Sequence, residues 1–105
     1  MRSIIWLGTT LNDVKTFPAK ALQAAGYQLS KVQMGLDPTD WKPLNTVGSG
    51  VKEIQLTEAG GAFRVVYVLV KGKSVYMLHA FPKKTQKTSQ RDINLAKQRY
   101  REVPT

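Results

Sequence analysis

The chain has 105 residues, 42% of them hydrophobic, so it has the length for one core and the composition to fold it. It has no cysteine, which excludes disulfides and thiolate zinc sites, and one histidine with seven carboxylates gives no metal-ligand or cofactor pattern. The net charge of +9 is uneven, with seven Lys/Arg against five Asp/Glu in residues 1–70 and nine against two in residues 71–105. That asymmetry points to a polyanion or an acidic protein partner, and says nothing about catalysis.

Ser3–Leu7 is short, apolar and partly β-branched, and reads as a strand. Its apolar run is too short for a signal peptide, and no segment approaches the roughly 20 apolar residues that cross a bilayer. A cytoplasmic location is the expectation. Thr10 reads as a helix N-cap, with Asp13 at capping-box spacing near the positive end of the helix. Pro18 suits a first turn or a break between two helices. Leu22, Ala25, Leu29, Val32 and Leu36 recur at steps of three and four, which predicts an amphipathic helix over about 18–35 ended by Gly35. Its polar side carries Lys20, Gln23, Gln28 and Lys31. Asp37 to Gly50 reads as loop, broken by Pro38, Pro43, Gly48 and Gly50, with Trp41 and Leu44 as lids on the core.

Three strand-like runs follow, Val51–Leu56, Phe63–Val70 and Ser74–Phe81, joined by a glycine-containing turn and by Lys71-Gly72-Lys73. They predict an antiparallel meander whose middle run, apolar on both faces apart from Arg64, is central. A helix from about Ser89 to Glu102 closes the chain, with Ser89 as cap and Ile93, Ala96, Tyr100 and Val103 facing inward. The class is α+β in a single domain, with an N-terminal strand and two helices packed on a twisted antiparallel sheet and a C-terminal helix.

Strand alternation places Arg64 with Val66, Val68 and Val70, and sets Val75, Met77, His79 and Phe81 on one face. On the first run, Lys52 aligns with Ile54 and Leu56, and Glu53 with Val51 and Gln55. Arg64 is the odd residue of its strand. A guanidinium cannot shed its proton, so it must reach water, a carboxylate such as Glu53, or a phosphate. His79 is either a packed, hydrogen-bonded residue or a proton carrier near neutrality, and Phe81 either core or a stacking platform. After them Lys83, Lys84, Lys87 and Arg91 fall within nine residues without an acidic group, the kind of surface that holds a phosphate backbone beside an unstacked base.

Phe63-Arg64-Val65-Val66-Tyr67-Val68, the run Val75 to Thr88 containing His-Ala-Phe-Pro-Lys-Lys-Thr-Gln-Lys-Thr, and Asp92-Ile93-Asn94-Leu95-Ala96-Lys97 resemble the phage-derived Gp49-like, HigB-type branch of the RelE/ParE toxin superfamily. Trp6-Leu7-Gly8, Phe17-Pro18, Ala25-Gly26-Tyr27, Trp41-Lys42-Pro43-Leu44 and Gly50-Val51-Lys52-Glu53-Ile54 fit the same pattern, so the likeness spans nearly the whole chain. The resemblance implies a RelE-like fold with a basic concave face opposite the helices. It implies the toxin of a type II toxin–antitoxin pair, a ribosome-dependent endoribonuclease cutting mRNA by attack of a ribose 2′-OH on the adjacent phosphate. The implied partners are mRNA, the ribosome and a helix-turn-helix antitoxin. By the same resemblance Arg64, His79, Lys83 and Lys84 are the candidate catalytic residues, with Arg64 first for phosphate stabilisation. Lys52, Phe81, Lys87 and Arg91 are the candidate RNA contacts. Two other readings stand beside it: a ParE-like toxin that poisons DNA gyrase without catalysis, and an RNA-binding module without catalysis. Fold alone does not separate them.

Overall fold

The computed structural model describes residues 1–104. Eight elements follow the chain: β1 (Ser3–Trp6), α1 (Thr10–Lys15), α2 (Ala19–Gln33), β2 (Trp41–Pro43), β3 (Val51–Glu58), β4 (Gly61–Val70), β5 (Ser74–Lys83) and α3 (Gln90–Tyr100). The sheet order is β1-β5-β4-β3-β2. β2 to β5 pair antiparallel, and β1 adds to β5 in parallel, so the sheet is mixed. The Val-rich β4 is the middle strand, and Val65 and Val66 are fully buried on opposite faces.

The two tight hairpins turn through two residues with positive φ, Ala59 (52°) and Gly60 (76°) between β3 and β4, and Lys71 (54°) and Gly72 (65°) between β4 and β5. Turns of this hand match the right-handed strand twist, and an L-residue with a Cβ fits them poorly. Ala59 is therefore a local weak point. Ala59→Asn, which makes an Asn-Gly turn, is expected to stabilise the fold by about 0.5–1 kcal/mol in urea unfolding, and an unchanged midpoint would contradict this.

Two cores lie on either side of the sheet. Val14, Phe17, Ala21, Ala25, Leu29 and Val32 of the first two helices and their connection cover Ile54, Leu56, Phe63, Val65, Tyr67, Val75 and Met77. On the other face Ile93 and Ala96 of α3 cover Val51, Val66, Val68, Leu78 and Phe81, with Leu44 and Val47 filling in. The face opposite α1 and α2 is thus roofed in part by α3, and only its end beyond the roof is left to the basic residues.

Several details depart from the sequence reading. Thr9, not Thr10, precedes α1, and its hydroxyl donates to Asp13 Oδ2 at 2.8 Å. Leu22 and Leu36 are exposed, because α2 seats on the sheet through the small Ala21 and Ala25, while Leu36 lies past the helix end after Gly35 at φ 90°. Within the expected loop, Trp41–Pro43 pairs with Lys52–Ile54 as the edge strand β2. Leu44 is buried there, whereas Trp41 is half-buried.

The departure that matters most is in β5. Val66 pairs with His79 but Tyr67 with Met77, so Leu78 is an extra residue, a β-bulge. A bulge breaks the alternation of side chains. Val75 and Met77 face α2, whereas Leu78 and Phe81 enter the α3 core, so the expected single face of Val75, Met77, His79 and Phe81 is split.

Candidate nucleic-acid interface

The register sets Arg64 opposite Phe81, Ala62 opposite Lys83, and Val66 between Glu53 and His79. These side chains gather at one end of the sheet on the α3 side.

Glu53 is 0% exposed. Thr88 Oγ1 donates to its Oε2 at 2.7 Å. Its Oε1 faces two cations, Lys42 Nζ at 3.4 Å and Arg64 Nε at 3.8 Å. Both are ion-pair distances, too long or misaligned for hydrogen bonds, so Oε1 and Nε are buried without a hydrogen-bond partner among the described residues. Arg64 is 11% exposed, and its Nη1 donates to the Phe63 carbonyl at 2.9 Å. Of the three destinations open to Arg64 in the sequence, the structure takes the carboxylate. Its charge also reaches Lys83. The Lys83 ammonium is held below its ordinary 10.5 by partial desolvation, then by the positive charges of Arg64 and Lys42, with Glu53 opposing.

His79, 5% exposed, is held from both sides. Its Nε2 meets Asp92 Oδ1 at 2.7 Å, and Arg99 Nη1 approaches its Nδ1 at 3.3 Å. A guanidinium only donates, so Nδ1 accepts and Nε2–H donates, which makes the ring neutral. Burial is the main cause that lowers the His79 pKa from 6.5. The positive charge of Arg99 adds to it, and Asp92 and Asp13 oppose. With the folded value below the unfolded one, the unfolded chain binds more protons in the interval between them. Stability is then complete above pH 6.5 and falls as pH drops through the folded value. Urea unfolding at about pH 7.5 and about pH 5.5 is expected to show this loss, and His79→Gln to flatten it; an equal slope in the variant would contradict the assignment.

The network extends on both sides of the imidazole. Ser89 Oγ donates to Asp92 Oδ2 at 2.7 Å and accepts from the Asp92 N–H at 3.2 Å, which caps α3. Arg99 also donates to the Leu78 carbonyl at 3.0 Å and to Thr9 Oγ1 at 3.0 Å. Gly8 makes room for it: its φ is +54°, and a Cβ there would lie 2.7 Å from Arg99 Nε. The result is a rigid joint between α1, β5 and α3. The Phe81 ring stacks on His79 with centroids 4.7 Å apart, and at 6% exposure it belongs to the core.

Beside this joint is an open depression of about 540 Å³. It brings together five of the residues singled out in the sequence, His79, Phe81, Lys83, Lys84 and Arg91, with Arg99, Asp92 and Asp13. Arg64 is not on its lining, and Lys87 projects from the loop outside it. Lys52 is elsewhere. Alternation turns it to the α2 side with Ile54, where it pairs with Asp37 at 2.8 Å and lies 4.4 Å from the Trp41 ring centroid, so the structure removes it from the group of RNA-contact candidates at this end of the sheet. Four residues the sequence reading left out of the site now belong to it: Lys42, Thr88, Asp92 and Arg99. Only Asp92 carried a local signal, its spacing of three from the cap Ser89.

No helix among the described residues is long and apolar enough to cross a membrane. No curated protein matches the chain. The family described as Phage derived protein Gp49-like (DUF891) matches it over residues 12–101, from α1 through α3. The chain thus belongs to the Gp49-like family of phage-derived proteins, a family that points to the toxin of a toxin–antitoxin pair.

Proposed function

We propose that the protein is the toxin of a type II pair and cuts mRNA on the translating ribosome in the cytoplasm, with a helix-turn-helix antitoxin as its cognate partner. The observation that carries this reading is the pair of cations, Arg64 and Lys42, on one buried carboxylate, beside a depression lined by Lys83, Lys84 and Arg91. In the reaction the 2′-hydroxyl gives up its proton to water as its oxygen attacks the adjacent phosphorus, the bond to the 5′-oxygen breaks and that oxygen takes up a proton, and the products are a 2′,3′-cyclic phosphate and a 5′-hydroxyl. Negative charge grows on the phosphate oxygens, where fixed cations stabilise it most. Lys84 takes that part at the depression, and Arg64 adds its fixed charge from its place beside Glu53. Lys83 is the better proton carrier, since its lowered pKa eases transfer to the leaving oxygen. His79, with both ring nitrogens engaged, holds the joint in place.

Those same hydrogen bonds to His79 also favour a toxin on this scaffold that binds RNA or gyrase without cutting. Induction in cells followed by primer extension separates the two. The cleavage reading predicts new 5′ ends within translated mRNA. Growth arrest with intact mRNA, or inhibition of gyrase supercoiling, favours the other.

A further inference from the structure

The loop from Lys84 to Thr88 carries Lys84 and Lys87, both exposed, between the end of β5 and the cap of α3. Thr85 spends its hydroxyl inside the loop, on the Lys87 carbonyl. Thr88 is different. Its hydroxyl crosses 35 residues of sequence to Glu53 on β3, and it is the loop's one side-chain hydrogen bond to the sheet among the described residues. The acceptor is fully buried and gathers Arg64 and Lys42 on its other oxygen. One carboxylate therefore fixes both the loop and the cations of the sheet, in a geometry that a solvated lysine loop does not have by itself.

We infer that Thr88, through Glu53, is a positioning residue that latches the basic loop to the sheet and so sets the spacing of Lys84 and Lys87 from Arg64. This deepens the proposed function and rests on its reading of the loop as a polyanion-binding element. A loop held in its bound shape loses less entropy on binding, so the latch acts on affinity. A hydrogen bond to a carboxylate is strong enough for an effect of about tenfold.

The test uses Thr88→Val, which keeps the shape and removes the hydroxyl, and Thr88→Ser, which restores the donor. Backbone order parameters of the free protein are measured by NMR at residues 84–88 and in β4. Single-turnover cleavage on programmed ribosomes is followed at subsaturating protein. Thr88→Val is expected to lower the order parameters of the loop from about 0.85 to below about 0.6 with β4 unchanged, and to slow cleavage about tenfold. Thr88→Ser is expected to restore both. Loop order parameters unchanged from wild type, or an equal fall in β4, overturn the latch. If the wild-type protein cuts nothing, the proposed function falls, and the order parameters still decide the latch.

Discussion

Glu53→Ala is expected to lower folding stability by about 3–5 kcal/mol, the cost of breaking a buried ion pair from one side. The carboxylate is inaccessible to water and offsets part of the charge of Arg64 and Lys42 while accepting from Thr88. Without it a largely buried guanidinium has only the Phe63 carbonyl, and Thr88 loses its acceptor. Glu53→Gln keeps an acceptor for Thr88 and removes only the charge, so its loss is smaller. Urea unfolding at neutral pH reads both. A loss below about 1 kcal/mol for the alanine variant would mean that Lys42 and Arg64 find water as readily as the carboxylate, and that the cluster is not held as described.

The second large effect is on chemistry. Arg64→Ala is expected to slow mRNA cleavage by about 10²–10³-fold, the scale of removing one preorganised group that stabilises transition-state charge. It also leaves Glu53 with Lys42 and Thr88 alone, so the variant must be assayed where circular dichroism shows it folded. Arg64→Lys separates the two contributions. A lysine keeps a positive charge beside Glu53 but lacks the planar, multiply donating head, so stability should largely return while rate does not. A rate within about threefold of wild type in the folded alanine variant would leave Arg64 as a structural counter-ion of Glu53.

Much of this architecture is legible in the residues. The apolar Phe63–Val70 run is the central strand, the two turns fall where glycines permit positive φ, and Ser89 caps α3. The pairing of Arg64 with Glu53 was one of three outcomes that guanidinium chemistry left open. The illegible parts have physical causes. Nothing in Val-Tyr-Met-Leu-His-Ala-Phe marks Leu78 as the bulged residue, because the extra residue is defined by its partner strand, and that insertion separates His79 from the face of Met77. β2 follows one proline, ends on another, and becomes a strand only because β3 offers it an edge, which is how Lys42 reaches Glu53. Leu22 is apolar and periodic, yet the helix approaches the sheet through smaller neighbours and leaves it at the surface. The network of Arg99 with His79 and Thr9 joins residues up to 90 apart in sequence and needs the positive φ of Gly8 to exist at all. Contacts at that separation leave no trace in local pattern.

The most direct test of the account adds purified protein to defined mRNA, free and loaded on programmed ribosomes, and sequences the ends produced. Cuts within the ribosome-bound codons of wild-type reactions, with 2′,3′-cyclic phosphate ends and none with folded Arg64→Ala, are the result expected of this cluster of cations. Uncut mRNA on ribosomes saturated with the wild-type protein would contradict it.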